Sequence, residues 1–85
     1  MLDRLVIEQL LKDSPIVKES VIKDVRELTL AGEYGLAFDT LCSWIYEDEL
    51  PIEAAYYDRL RNASIEFGAR ELVDRLGELV LSDND

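Results

Sequence analysis

Hydrophobic residues recur every three or four positions along most of this chain, which is the spacing of helices that are buried on one face. No stretch alternates between apolar and polar residues for long enough to predict a strand. The pattern therefore predicts a chain built from helices. The predicted helices cover residues 2–12, 15–30, 33–48, 53–67 and 69–81.

Each predicted helix has an apolar face that should turn towards a shared core. In the first helix this face contains Leu2, Leu5, Val6, Gln9 and Leu10, widened by Ile7 and Leu11. In the second and third helices it contains Val17, Val21, Val25, Leu28, Leu36, Ala37, Leu41, Trp44 and Ile45, with Ile22 and Phe38 at its edges. In the last two it contains Tyr56, Leu60, Ala63, Phe67, Leu72, Val73, Leu76, Leu79 and Val80.

Residues that favour turns fall between these helices. Ser14 is a good helix N-cap, and Pro15 suits the first helical position because its missing N–H has no intrahelical partner there. Gly32 is expected to end the second helix in a left-handed conformation, and Gly68 should either break or bend the last helical stretch. The predicted fold is all-α: a compact bundle of four to five short helices.

The composition fits one small domain and restricts its chemistry. Residues 1–85 are 48% hydrophobic, which suffices for a single packed core. The chain has no His, which removes His-based triads and the usual zinc sites, and its one Cys cannot form an internal disulfide. Cys42 has no His to activate it and is expected to be a structural thiol. We therefore expect no enzyme, no cofactor and no metal site, in a reducing cytoplasm.

The charge is strongly negative and unevenly distributed. Nineteen Asp and Glu residues against nine Lys and Arg residues give a net charge of −10. Residues 33–58 contain seven of the acidic residues and no basic residue. Because phosphates and anionic lipids are bound by Lys and Arg, this balance argues against direct nucleic-acid or membrane binding. No apolar run is long enough to span a membrane, and residues 1–4 do not resemble a signal peptide.

Part of the acidic stretch should lower the stability of the helix that contains it. Glu47, Asp48 and Glu49 fall at the end of the third predicted helix, where the helix dipole makes negative charge mildly unfavourable. A one-signed cluster in such a place suggests a binding partner, since charge steers association. The other interpretation is a solvated face that keeps a small protein soluble.

Two tyrosines belong to the same region. Tyr46 falls on the polar side of the third predicted helix, and Tyr57 falls at the edge of the apolar face of the fourth. Each can serve either as an interface contact or as a half-packed core residue. Both interpretations stay open at this point. The candidate partner-binding surface comprises Asp39, Tyr46, Glu47, Asp48, Glu49, Glu53, Tyr57 and Asp58.

One further small acidic helical class has to be weighed. Acyl-carrier-like proteins present an Asp-Ser pair at the start of a helix, where the Ser takes a phosphopantetheine arm, and Asp13-Ser14 resembles that pair. Pro15 stands where those proteins usually have Leu, and the long loop that precedes their Ser is absent. An ordinary N-cap role is the simpler interpretation of Ser14.

The middle of the chain carries a family resemblance. Residues 32–37 read Gly-Glu-Tyr-Gly-Leu-Ala, residues 41–47 read Leu-Cys-Ser-Trp-Ile-Tyr-Glu, and residues 50–52 read Leu-Pro-Ile. Together, across residues 28–60, they resemble the MafI-type family of small bacterial immunity proteins. The first motif is also similar to half a tetratricopeptide repeat, but no second copy follows at the period of ~34 residues that a repeat array requires.

The resemblance implies a protein that binds and neutralises a cognate toxin of a polymorphic-toxin or contact-dependent growth inhibition system. The expected partner is the C-terminal domain of that toxin, a basic nuclease, and the family supplies no catalytic residues. The charge of the candidate partner-binding surface agrees with this expectation, because a nuclease active site binds phosphate and is itself basic. The alternative is a small acidic helical adaptor or carrier-like interaction module. The oligomeric state stays open.

Overall fold

The computed structural model describes residues 3–81, which form five α-helices and a short 3₁₀ helix. The α-helices are α1 (Asp3–Lys12), α2 (Glu19–Leu30), α3 (Tyr34–Glu47), α4 (Ala54–Phe67) and α5 (Arg70–Arg75), and the 3₁₀ helix covers Leu76–Leu79. The prediction of a compact all-α bundle is confirmed. The break at Gly68 separates α4 from α5, with Gly68 in the left-handed conformation at φ +76°.

Helix α3 runs through the middle of the bundle. It packs against all four other α-helices and the 3₁₀ helix. Its buried side chains are Ala37, Phe38, Leu41, Cys42 and Ile45, each with no exposed surface. The most hydrophobic helix of the chain therefore forms the centre of the core, and the other helices cover it.

The apolar face predicted for α1 is only partly correct. Ile7, Leu10 and Leu11 are buried, whereas Leu5 is 60% exposed and Val6 lies at the surface. The helix carries two overlapping apolar stripes, and packing against α2 and α3 selects the stripe centred on Ile7. Leu2, which was assigned to the other stripe, lies outside the described residues. In α3, Leu36 is likewise exposed instead of buried.

The predicted start of α2 is wrong. The helix begins at Glu19, and its N-cap position is Lys18 instead of Ser14. The Ser14 hydroxyl donates to the Leu11 carbonyl at 2.8 Å and accepts from the backbone N–H of Ile16 at 3.3 Å, so it stabilises the turn that follows α1. The intervening segment buries Ile16 and leaves Val17 85% exposed, which corrects the assignment of Val17 to the core.

The predicted fifth helix is also wrong as a single element. It divides into α5 and the 3₁₀ helix, and Val80 then forms an isolated parallel bridge with Ile52. The Ile52 N–H donates to the Leu79 carbonyl at 3.0 Å, and the Leu81 N–H donates to the Ile52 carbonyl at 2.8 Å. These backbone bonds replace further helical bonds and fix the end of the described chain beside the turn between α3 and α4.

Candidate partner-binding surface

The centre of the candidate surface is the turn in which α3 ends. The Glu49 N–H donates to the Tyr46 carbonyl at 3.1 Å, and the Leu50 N–H donates to the Ile45 carbonyl at 3.0 Å. This pair of bonds is a Schellman motif, which requires a left-handed residue directly after the helix cap. Glu49 occupies that position with φ +50°.

The same motif ends α2, but with a different residue. There the Gly32 N–H bonds to the Thr29 carbonyl at 3.1 Å, the Glu33 N–H bonds to the Leu28 carbonyl at 2.9 Å, and Gly32 has φ +80°. Helix α4 ends in a left-handed glycine as well, Gly68. Among the described residues outside glycine, Glu49 alone has a positive φ. A left-handed conformation costs an L-residue roughly 1–2 kcal/mol that glycine avoids.

The charge at this helix end is also unfavourable. Glu47, Asp48 and Glu49 are exposed at the negative end of the α3 dipole, and the last turn of α3 contains no basic residue. Each such carboxylate costs about 0.3–1 kcal/mol at low ionic strength. Backbone conformation and electrostatics therefore both oppose an acidic residue at position 49.

Three carboxylates and one tyrosine share a hollow at this end of the bundle. The hollow has a volume of about 480 Å³ and is lined by Tyr46, Glu47, Glu49, Glu78 and Leu79. Tyr46 is half-buried with its ring packed against the core, and the three glutamates are exposed. We call these five residues the acidic hollow. No basic side chain is among them. The carboxylates and the aromatic ring of the hollow could therefore bind a cationic side chain of a partner.

Glu78 was not among the predicted site residues. It reaches the acidic hollow because the bridge between Ile52 and Val80 holds the 3₁₀ helix against the end of α3. The sequence contains no local signal for this contact, since Glu78 lies 29 or more positions along the chain from Tyr46, Glu47 and Glu49. The long-range pairing of Ile52 with Val80 brings Glu78 to the acidic hollow.

Asp48 lies next to the hollow and has a cation nearby. Its carboxylate is 4.0 Å from the Lys18 ammonium group, and the same ammonium group lies 4.6 Å from the centre of the Trp44 ring. Both charged side chains are substantially exposed, so the pair contributes little to stability. Lys18 still partly offsets the charge of Asp48, which makes this residue a weaker contributor to the surface than Glu47 or Glu49.

The remaining predicted residues are distributed over neighbouring surfaces. Asp39 lines a different hollow that also contains Arg70 and Arg75, and Asp58 lines a third with Arg61 and Arg70. Because these two carboxylates line other hollows, the structure does not join them to the acidic hollow. Glu53 is exposed directly before α4.

Tyr57 is held by packing. Its hydroxyl lies so close to Gly77 that a Cβ at that glycine would be 3.0 Å away, and the Arg61 guanidinium lies 5.8 Å from its ring centre. The ring therefore seats the 3₁₀ helix against α4. This position favours the structural role of Tyr57 over a contact role, whereas Tyr46 opens onto the acidic hollow.

The Cys42 thiol is inaccessible, and Ser14 does not have the setting of a carrier-protein serine. Cys42 is fully buried, and burial together with the Asp39 charge raises the pKa of its thiol to about 12. Ser14 is not at a helix start, so the geometry in which carrier proteins present their serine is absent there. Within residues 3–81, no group of three or more Cys, Asp or Glu side chains is arranged to hold a metal ion.

The described helices are also too short or too polar to cross a bilayer: within residues 3–81 none reaches the length and apolarity that a span requires. Comparison of the chain with known protein families, with curated proteins and with solved structures found no match. The fold and the surface define an all-α domain with an acidic, tyrosine-containing helix end.

Proposed function

We propose that this chain is a cytoplasmic immunity protein that binds and neutralises a cognate bacterial toxin, a basic nuclease, without catalysis of its own. The acidic hollow is its principal contact surface, with Asp48 and Glu53 beside it. Asp39 and Asp58 line other hollows, and Tyr57 has a packing role. The resemblance of residues 28–60 to MafI-type immunity proteins supports the same class of function.

The observation that carries the proposal is the conformation of Glu49. This residue has φ +50° at a position where two other helices of the same chain have glycine. It also adds negative charge to the negative end of α3. A side chain that lowers stability in two ways needs another reason to be acidic, and charge recognition by a partner supplies one.

The mechanism follows from electrostatics. A nuclease site that holds phosphates exposes Lys and Arg side chains, and the acidic hollow presents carboxylates at their positions. Long-range attraction between the two surfaces raises the association rate, while desolvated contacts at Tyr46 slow dissociation. Occupation of the basic site excludes the nucleic acid, so binding alone inhibits the toxin.

The test begins with the gene beside this one. The chain is co-expressed with the C-terminal domain of the adjacent large secreted protein, and growth rescue is scored together with co-purification. Rescue with a tight, salt-sensitive complex is expected. If the neighbouring domain is toxic alone and the chain neither rescues growth nor binds it, the immunity assignment to that toxin fails, and a small acidic adaptor becomes the better hypothesis.

A matched pair of variants then tests the surface. The site variant is E47Q/E49Q/E78Q, and the control variant E19Q/D24N/E27Q removes three exposed carboxylates from α2. Both change the net charge by the same amount. We expect the site variant to lower the association rate on the order of tenfold at low salt and to flatten its salt dependence, with a much smaller effect in the control. Equal effects in both variants would reduce the role of the hollow to nonspecific charge.

A further inference from the structure

Helix α1 presents apolar side chains to solvent as well as to the core. Leu5 is 60% exposed and Val6 is 36% exposed, although Ile7 and Leu10 beside them are buried. These two side chains border an open hollow of about 600 Å³ between α1 and α4, whose lining on the α4 side includes Ala63. Gln9, Arg59, Asn62 and Glu66 complete the lining, so the groove is an apolar strip bordered by polar side chains, an arrangement found at interaction surfaces.

The groove lies where the charge of the molecule is balanced. Residues 3–13 contain three acidic and two basic side chains, and residues 59–66 contain two basic and one acidic side chain, so the two segments together are neutral. The chain as a whole has a net charge of −10. Two copies of the protein repel each other least where these segments face each other, whereas a basic partner is attracted more strongly to the acidic surface.

The charged residues of the groove are arranged in a self-complementary way. Arg59 and Glu66 both line it and are seven residues apart on α4, which is two helical turns or about 10.5 Å along one face. A two-fold axis between them places Arg59 of each copy opposite Glu66 of the other. The Arg59 guanidinium is already positioned by a 3.0 Å bond from Nη1 to Asp13, and its other nitrogens remain for a second carboxylate.

We propose that two copies of this chain pair through the groove between α1 and α4 in a two-fold dimer. Leu5 and Val6 of each copy pack into the groove of the other, and Arg59 of each copy binds Glu66 of the other. An isologous contact of this kind closes on itself and stops at two subunits. The acidic hollow belongs to the end of α3 and the 3₁₀ helix, so both copies keep it exposed and the inference does not depend on the proposed function.

The first test measures mass in solution. Light scattering on the purified full chain at roughly 100 µM is expected to give a mass of twice 9.7 kDa. This concentration exceeds the micromolar Kd of the weaker interfaces of ordinary size. Leu5→Glu should give the monomer mass. The control Ile65→Glu changes an aliphatic residue of α4 that is 72% exposed but lines a different hollow, and it should keep the dimer mass. Circular dichroism verifies that each variant is folded.

A charge exchange tests the two-fold arrangement itself. Arg59→Glu alone brings Glu against Glu in a homodimer, and Glu66→Arg alone brings Arg against Arg, so each variant should be monomeric. Mixing them restores both opposite-charge pairs, and the mixture should return to the dimer mass. A wild-type chain that stays at the monomer mass means that a different partner or none covers the groove, and a dimer unaffected by Leu5→Glu uses another surface. Either result overturns the proposal.

Discussion

Replacing Glu49 by glycine should make this protein more stable. Glu49 is the left-handed residue of the Schellman motif that ends α3, with φ +50°. Gly32 has the same role after α2, where φ is +80°. Glycine removes the steric cost of this conformation and, at the same time, a carboxylate from the negative end of the helix dipole.

The expected gain follows from three contributions. Relief of the left-handed conformation is worth roughly 1–2 kcal/mol. The greater chain entropy that glycine loses on folding costs about 0.5–1 kcal/mol in the opposite direction. Removal of the carboxylate adds about 0.3–1 kcal/mol at low ionic strength. The net increase in the free energy of unfolding is about 1 kcal/mol, which raises the Tm of a domain of this size by roughly 4–8 °C.

Urea unfolding at low and high salt separates these contributions. Glu49→Gln loses only the charge, so its gain should be smaller than that of Glu49→Gly and should fade as salt screens the dipole. The matched control is Glu47→Gly, which removes the same charge from a residue in helical conformation and should therefore be destabilising. If Glu49→Gly is no more stable than Glu49→Gln, position 49 is not strained and the reasoning is refuted.

Two further predictions concern buried groups. The Tyr56 hydroxyl donates to the Leu10 carbonyl at 2.6 Å, so Tyr56→Phe should lower the free energy of unfolding by about 1–2 kcal/mol in urea melts by leaving a buried acceptor of α1 unpaired. Because burial raises the pKa of the Cys42 thiol to about 12, the native protein should resist thiol reagents near neutral pH. The folded thiol keeps its proton at a pH at which the unfolded thiol, with its ordinary pKa of 9.0, ionises. Stability should therefore fall as pH rises above about 9. Urea melts at pH 8 and about 10.5 should show a smaller fall in Cys42→Ala, and an equal fall would contradict the assignment.

The helices and much of the core could be predicted because their signals are local. On α4, Tyr56, Leu60 and Ala63 are buried at helical spacing, and no competing apolar stripe is present. On α1 two stripes overlap, and only the position of α2 and α3 decides that Ile7 faces inward and Leu5 outward. Spacing along one helix does not contain that information.

At the start of α2, the local preference of Ser14 for an N-cap is outweighed by the burial of Ile16 in the tertiary structure. An N-cap at Ser14 contributes about 1 kcal/mol. Continuing the helix from Pro15 would move Ile16, which is only 7% exposed, out of its buried place, and burying an Ile side chain contributes about 1.5–3 kcal/mol. The larger contribution decides the conformation, so the segment stays extended and the helix begins at Glu19.

Part of the candidate site could be predicted from residues that are neighbours in the sequence, and part of it depends on the tertiary structure. Tyr46, Glu47 and Glu49 lie together because they are neighbours at one helix end, and the sequence shows that directly. Glu78 joins them only through the pairing of Ile52 with Val80, which no periodicity reveals. Arg70 and Arg75 in the hollow of Asp39, and Arg70 in the hollow of Asp58, come from α5, so the separation of Asp39 and Asp58 from the acidic hollow depends on the tertiary structure.

Substitutions at Glu49 should change both the stability of the protein and its affinity for the toxin, and measuring both separates two explanations of this residue. If position 49 is only an imperfect turn, Glu49→Gly raises stability and leaves toxin affinity unchanged. If the carboxylate is there to bind a basic partner, the same substitution raises stability and lowers affinity. Glu49→Gln should then lower affinity to the same extent while stabilising less, because it loses the charge and keeps the backbone strain. Equal losses of affinity with unequal gains in stability would attribute binding to the charge and not to the rigidity of the turn.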